Sequence, residues 1–242
     1  MGNVTKFSSD QVYIYMILID ASGSMDQDER NVRDGIQNLK ESLQGFPESS
    51  SIAISISEFN SYLNLGEFQR VQNISTNYCA DGGTALYRSI NEAADYLQNY
   101  LNEIRRINKI EPIATYFLLS DGMSSGRPTD MDEEIGKRTC KKVIEAMNLQ
   151  DINTAFVAFG EAINSNFGKD LGFKATIDIK NRSQLLEFLG VHVSESIKNQ
   201  SQRCEPLGEN FFSKAAGYSS TSEGYSSATA QALEDDAWID DI

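Results

Sequence analysis

Two patterns of apolar residues, an unbroken run and an alternation with polar residues, predict the strands of this chain. Residues 12–19 are apolar at nearly every position and rich in β-branched and aromatic side chains, which is typical of a central strand covered on both faces. Residues 51–59 alternate isoleucine with serine, which predicts a half-buried strand. Further strands are predicted at 114–119, 153–159 and 173–179, and residues 68–74 are predicted to pair with the second strand across a turn that contains Gly66.

Apolar residues at intervals of three and four predict helices between these strands. The first helix is predicted at residues 29–43, where Gly45 and Pro47 then end the pattern. The others are predicted at 84–107, 132–147 and 183–199. The resulting order, β-α-β-β-α-β-α-β-α, predicts the α/β class: a doubly wound, mostly parallel sheet with helices on both faces and one antiparallel edge strand.

Composition divides the chain into a globular domain at residues 1–203 and a tail at residues 204–242. With 242 residues, 40% of them apolar, the chain is long enough to bury one core. The tail is rich in Ser, Gly, Ala and Tyr and then acidic around the sole tryptophan, Trp238. This composition predicts low intrinsic order. Trp238 and Ile239 are interpreted either as a motif that binds a partner or as part of a solvated tail, and the sequence favours both equally.

Charge and cysteine content narrow the classes of partner and compartment. The formal net charge of −14 argues against nucleic acid, whose binding needs concentrated Lys and Arg, and favours a cation or a basic surface. Cys79, Cys140 and Cys204 are odd in number and widely spaced, which predicts free thiols in a reducing cytoplasm. The apolar run at 12–19 is too short to span a bilayer, so neither secretion nor membrane insertion is expected.

Oxygen-bearing side chains gather where the predicted strands end. Asp20, Ser22 and Ser24 follow the first strand, and Asp121 follows the strand that ends at residue 119. Thr84 comes directly after two glycines, which permit a tight turn. In an open parallel sheet, ligands collect at the carboxyl ends of the strands. The sequence therefore predicts a cation site built from these three loops.

These residues resemble the metal-ion-dependent adhesion site of the von Willebrand factor A (vWA) family, whose pattern is Asp-x-Ser-x-Ser, then a Thr, then an Asp in a strand-end loop. Here the elements stand in that order as Asp20-Ala-Ser22-Gly-Ser24, as Thr84 in Gly-Gly-Thr-Ala-Leu, and as Asp121 in Leu-Ser-Asp-Gly. The resemblance covers roughly residues 10 to 200. It implies that the three hydroxyls are ligands and that the two aspartates act directly or through water.

The resemblance also implies a function for the site. An all-oxygen site with few charged ligands suits a hard divalent ion, so Mg²⁺ is favoured and Mn²⁺ is the second choice. In this family, another protein binds by donating an Asp or Glu to the metal. The Gly-Gly-Thr-Ala-Leu segment and the small cytosolic format look most similar to bacterial stand-alone domains of tellurium-resistance and stress operons, in which kinases and phosphatases are expected neighbours.

Simpler interpretations apply to single members of the set. Asp20 alone is equally well explained by an Asx-turn or a helix cap, and Thr84 by a helix cap. The acids Asp26, Asp28 and Glu29 are better explained by the dipole of the following helix than by a larger metal site. The metal interpretation is favoured only when all five residues are taken together.

Enzymatic function is not expected from the motifs. His192 has no nucleophile motif near it, and the loop at residues 122–126 lacks the Gly-Lys-Ser/Thr ending of a phosphate-binding loop. We therefore predict a binding module. The alternatives are a Mg²⁺-dependent phosphoester hydrolase and a scaffold with a purely structural metal.

Overall fold

A seven-stranded sheet forms the centre of this computed structural model, which describes residue 7 and residues 10–160, 164–180 and 182–203. The strands are β1 (Tyr13–Asp20), β2 (Ile52–Phe59), β3 (Leu63–Asn64), β4 (Gln69–Arg70), β5 (Ile113–Ser120), β6 (Asn153–Phe159) and β7 (Ala175–Ile179). Their order in the sheet is β3-β2-β1-β5-β6-β7, with β4 also paired to β2. All pairs are parallel except those of β3 and β4 with β2, so the predicted fold class is confirmed.

Within the described residues, six α-helices lie between and after the strands. They are α1 (Glu29–Gln44), α2 (Leu86–Asn108), α3 (Glu133–Leu149), α4 (Ser165–Asp170), α5 (Arg182–Glu187) and α6 (Ser194–Arg203). The last predicted helix is interrupted by a π-helix, Phe188–Val193, between α5 and α6. Helix α4 was not predicted, because six residues are too few to show a helical period.

The sheet separates two apolar cores. Alternate side chains of β1 point to opposite faces, so that Ile17 packs on the side of α1 and the C-terminal helices, and Leu18 packs on the side of α2 and α3. Every residue of β1 is buried, as the unbroken apolar run predicted. Helices α2 and α3 approach closely at Gly136, where an added Cβ would lie 2.4 Å from the ring of Tyr87.

The edge of the sheet differs from the prediction in two respects. Instead of one antiparallel strand, the two short strands β3 and β4 pair with β2 on either side of Gly66. There the Ser55 hydroxyl donates to the Gly66 carbonyl (2.8 Å), and the Gly66 N–H donates to the Ser57 hydroxyl (3.0 Å). Both serines are fully buried, whereas Ile56 and Glu58 on the opposite face are only partly buried, so β2 is exposed on its isoleucine face and not on its serine face.

Several predictions fall on residues at or beyond the limits of the described chain. The tail at 204–242, with Cys204, Trp238 and Ile239, lies outside the described residues, so the boundary at residue 203 stays a prediction.

Cys79 and Cys140 are free thiols, the first exposed and the second buried. Among the described helices, none combines the length and the apolar character that crossing a membrane requires.

The path of the chain through the sheet determines where a ligand can bind. From β1 the chain moves to β2 on one side, and it later returns to β5 on the other side of β1. The loops that follow β1 and β5 therefore diverge to opposite faces. This switch point is where open α/β sheets bind ligands, and it brings the ends of β1 and β5, at Asp20 and Ser120, side by side.

Candidate metal centre

The first loop holds the Asp20 carboxylate rigidly at the end of β1. Asp20 is fully buried. Its Oδ1 accepts a hydrogen bond from the Ser22 N–H (3.0 Å), and its Oδ2 accepts one from the Ser120 hydroxyl (2.6 Å). The bond to Ser22 is the Asx-turn considered for Asp20 alone. The turn does not compete with a metal role, because it orients the carboxylate and each oxygen can accept more than one interaction.

Hydroxyl groups connect this loop to the loop after β5. The Ser22 and Ser24 hydroxyl oxygens are 3.0 Å apart, and the Ser24 hydroxyl donates to Oδ1 of Asp121 (2.9 Å). Asp121 stands one residue beyond β5, in the strand-end loop where it was predicted, although the strand ends one residue later than predicted. Four of the five predicted ligands, Asp20, Ser22, Ser24 and Asp121, thus lie in one continuous group of oxygen atoms.

Thr84, the fifth predicted ligand, is held between the two loops by its backbone. The preceding turn is bonded to the first loop, since the Gly23 N–H donates to the Gly82 carbonyl (3.0 Å). The Thr84 N–H donates to the Ser125 hydroxyl (2.8 Å), and the Ser125 N–H donates back to the Thr84 carbonyl (2.9 Å). Helix α2 begins only at Leu86, and Ala85 at its cap position has no capping side chain of its own, so Thr84 is not the helix cap.

The start of α2 is capped by a residue that sequence analysis missed, Asp130. This carboxylate is 3% exposed and accepts hydrogen bonds from the backbone N–H groups of Tyr87 and Arg88 (2.8 and 2.9 Å). It also accepts from the Met131 N–H and the Ser124 hydroxyl (2.8 and 2.6 Å). Asp130 therefore anchors the loop after β5 to the helix that follows Thr84. No signal in the sequence points to Asp130, because Thr84 itself is a plausible cap for this helix until the helix start at Leu86 is known.

Comparison with known proteins extends this description at the level of the fold. Neither models of protein families nor well-characterised proteins match the sequence. Solved structures match: the pilus adhesin SpaC from Lactobacillus rhamnosus GG has a TM-score of 0.62 at 13% identity and covers 81% of this chain. Manganese-loaded TRAP from Plasmodium vivax has a TM-score of 0.50 at 21% identity and covers 75% of this chain.

A third structure contains the metal motif itself. Proximal thread matrix protein 1 from the mussel byssus, with a zinc-occupied metal-ion-dependent adhesion site motif, has a TM-score of 0.53 at 12% identity over 74% of this chain. This chain has the fold of a von Willebrand factor A domain. The vWA fold is all that similarity at this level of identity shows. The chain spans 31% of SpaC, 46% of the mussel protein and 74% of TRAP.

The electrostatics of this vWA-fold domain favour a cation between the loops. Burial raises the pKa of Asp20 to about 6, and the nearby Asp121 charge adds to the increase, against hydrogen bonds from Ser120 and Ser22. Burial likewise raises the pKa of Asp121, against the hydrogen bond from Ser24. Within the described ranges, no Lys or Arg forms an ion pair with either carboxylate. Two neighbouring carboxylates therefore lack a compensating positive charge.

The donor set also limits which cation would fit. The described residues contain no group of three or more His, Cys, Asp and Glu placed to hold a metal, so a cation at this site would need hydroxyls or water beside the two carboxylates. Two carboxylates and up to three hydroxyls are hard oxygen donors, which suit Mg²⁺ or Mn²⁺ and do not suit a thiolate-preferring or imidazole-preferring ion. The residues present fit the cation that the vWA motif implies.

Proposed function

We propose that this vWA domain holds one divalent cation with Asp20, Ser22, Ser24, Thr84 and Asp121 and uses it to bind an acidic side chain of another protein. The observation that carries the proposal is the hydrogen bond from the Ser24 hydroxyl to Asp121 (2.9 Å), since it joins the loops after β1 and β5 at the switch point. Mg²⁺ is the favoured ion and Mn²⁺ the second, because the donors are all hard oxygens. When bound, the ion would supply the positive charge that both carboxylates lack.

Exposure within the group indicates the side from which a partner approaches. Asp20 and Ser22 are buried, whereas Ser24 is exposed and Asp121 is half-buried. Ser24 and Asp121 therefore form the exposed side of the group, where a carboxylate from another protein would approach the ion. Two large apolar side chains are exposed in neighbouring loops: Met123 (42%) two residues after Asp121, and Tyr62 (78%) next to Ser61, whose hydroxyl accepts a hydrogen bond from the Gly83 N–H. Exposed aromatic and methionine side chains are enriched at protein interfaces, which supports a protein as the partner.

The surroundings favour binding over catalysis. Phosphoryl transfer needs cationic groups that stabilise the developing charge, and the partners of Asp20 and Asp121 are hydroxyls and backbone N–H groups. We therefore propose that the domain is not an enzyme. A cytoplasmic location is part of the proposal and is supported by the free thiols of Cys79 and Cys140. Membership of a bacterial tellurium-resistance or stress system, with kinases or phosphatases as neighbours, stays a prediction from the Gly-Gly-Thr-Ala-Leu segment.

The test is partner capture by the immobilised full chain in Mg²⁺, followed by elution with EDTA. Proteins that elute in EDTA should be absent when Asp20→Ala or Thr84→Ala replaces the wild type. The matched control is Asp95→Ala, which changes an exposed aspartate on α2 outside the site and should capture the same proteins. Capture that is equal in EDTA and in all variants would refute the proposal. Metal-dependent hydrolysis of a phosphate ester that disappears in Asp20→Ala would replace it with the hydrolase.

A further inference from the structure

A cavity of about 440 Å³ lies beside the metal centre, at the edge strand β2 and on the side of α1. Its floor is apolar and is formed by Ile54, Ile56 and Ile74. Its wall next to the metal centre is Tyr78, whose hydroxyl donates a hydrogen bond to the Asp20 carbonyl. The volume is within the range of small-molecule sites, about 300–1,000 Å³. The cavity is therefore large enough for a ligand of several heavy atoms.

Glu58 is the acidic residue that lines this cavity. It follows Ile54 and Ile56 on the same face of β2 and is half-buried. No ion pair or side-chain hydrogen bond joins its carboxylate to any residue of the described ranges. Arg33 also lines the cavity, but its guanidinium is ion-paired with Glu29. Burial raises the pKa of Glu58 to about 7, and no neighbouring cation counteracts this effect.

The remaining lining groups restrict the chemistry of a ligand. Asn64, Gln69 and Asn77 contribute side-chain amides to the wall, and their oxygens can accept N–H donors. An anion would be repelled by Glu58. A bare metal ion would find a single carboxylate beside neutral amides and three isoleucines, so most of its charge would stay unbalanced. An organic cation fits both halves of the cavity, because its charged head can pair with Glu58 while its aliphatic stem covers the isoleucine floor.

We propose that this cavity binds an alkylammonium group, with the nitrogen on the Glu58 carboxylate and the aliphatic stem on Ile54, Ile56 and Ile74. The group has two sources, a free amine and the side chain of a lysine on a partner protein. The site is separate from the metal ligands and does not depend on the proposed metal. If the source is a lysine, a partner would be bound at two adjacent points, by an acidic residue at the metal and by a basic residue at Glu58.

The experiment titrates the full chain in EDTA with n-butylammonium chloride, with 1-butanol as the neutral and butyrate as the anionic control. Binding is followed by calorimetry, and locally by the alkylation rate of Cys79, an exposed thiol that lines the cavity. Mass mapping of the Cys79 peptide separates this thiol from the other two cysteines. A second titration uses a short lysine-containing peptide and its norleucine counterpart. The variants are Glu58→Gln and, as the matched control, Glu92→Gln, an exposed glutamate on α2.

The proposal predicts that the ammonium ligand binds, slows alkylation of Cys79, and loses affinity about tenfold or more in Glu58→Gln but not in Glu92→Gln. Binding of n-butylammonium identifies a free amine as sufficient, and binding of the lysine peptide alone identifies a partner side chain. If Glu58→Gln does not fold, the wild-type comparison of butylammonium with butanol decides, because only the charged ligand should protect Cys79. No binding by either ligand, or equal binding of butanol, would overturn the proposal. Because EDTA is present throughout, that failure is distinct from failure of the metal site.

Discussion

The loops after β1 and β5 each contribute one carboxylate to the candidate metal centre, and they hold it in opposite ways. Asp20 is fully buried, and both of its oxygens are bonded within the site. Asp121 is half-buried, and its carboxylate accepts a hydrogen bond from the Ser24 hydroxyl of the other loop. The first loop therefore fixes a donor in advance, whereas the second presents a donor at the surface, where a ligand can change its environment.

The two loops therefore contribute different unfavourable free energies to the site. In the first loop this contribution is electrostatic, because burial disfavours the charged form of Asp20 until a cation is present. In the loop after β5 the contribution comes from ordering the loop. Asp121 lies next to the strand end, and hydrogen bonds of Asp130 and Ser125 hold the far side of the loop in place. Variants in the two loops should therefore affect metal affinity and stability differently.

The largest effect on metal affinity is expected for Asp20→Asn. This change keeps the size of the side chain but removes the buried charge, so metal affinity should fall by more than about 100-fold, beyond the loss typical of changes to outer-shell partners. Asp121→Asn keeps an acceptor for the Ser24 hydroxyl at the more solvated position, so it should reduce metal affinity by a smaller factor. Mn²⁺ titration followed by electron paramagnetic resonance measures both. Equal losses in the two variants would contradict the asymmetry between the loops.

The buried charge also predicts a pH dependence of stability in EDTA. The pKa of Asp20 rises from 3.8 to about 6 on folding, so between these values the folded chain binds more protons than the unfolded chain. The free energy of unfolding contributed by Asp20 should therefore decrease as the pH rises from about 4 to 6, by about 2–3 kcal/mol in total. Urea unfolding of wild type and Asp20→Asn at several pH values measures it as the difference between the two proteins.

The free energy of unfolding of the wild type should therefore fall relative to that of Asp20→Asn as the pH rises through this window. Saturating Mg²⁺ should remove the loss in the wild type, because the ion stabilises the ionised carboxylate. Glu58, with its pKa raised to about 7, contributes a change of the same sign at slightly higher pH, and Glu58→Gln separates the two. A difference between wild type and Asp20→Asn that does not vary with pH would show that burial does not raise the pKa of Asp20.

On the side of the β5 loop, the principal effect should be on stability. Asp130→Ala leaves the N–H groups of Tyr87 and Arg88 without their acceptor at a buried helix start, so the free energy of unfolding should fall by about 1–3 kcal/mol. The matched control is Asp132→Ala, which removes an exposed cap from α3 and should cost about 1 kcal/mol or less. Chemical denaturation in EDTA measures both. A loss for Asp132→Ala at least as large as that for Asp130→Ala would refute the anchoring role.

The smallest effect is expected for Ser125→Ala. The change removes the hydroxyl that accepts from the Thr84 N–H, but it keeps the backbone bond from Ser125 to the Thr84 carbonyl. Metal affinity should fall by about tenfold, at the lower end for a partner that orients a ligand. Isothermal titration with Mg²⁺ measures this loss, and the exposed Ser50→Ala serves as the control. Unchanged affinity would show that Thr84 does not need this contact.

Local periodicity was sufficient to predict most of the architecture. The apolar run of β1 and the stripes of α1, α2 and α3 report burial directly, so the fold class and the sequence positions of the site loops followed from them. The structure also brings Asp20, Ser22, Ser24 and Asp121 together, as the rule for parallel sheets predicted. Whether they bind a metal stays a prediction.

Features that depend on contacts between distant residues were not predictable in this way. Asp130 caps a helix that begins more than forty residues earlier in the chain, and no local pattern connects the two. The serines of β2 appeared solvent-facing in the alternation, but they are buried because Gly66 lets the edge segment approach them. The cavity at Glu58 likewise depends on a segment that folds back over β2. In each case the deciding partner is close in space and distant in sequence.

Anomalous diffraction from crystals of the full chain soaked in Mn²⁺ would show whether the three loops place five side chains around one divalent cation. We expect one strong peak within coordinating distance of Ser22, Ser24 and Thr84, with Asp20 and Asp121 bound to it directly or through water, and no such peak in crystals of Asp20→Asn. A wild-type map without a peak at this position, or with its metal elsewhere on the domain, would refute the proposed metal site.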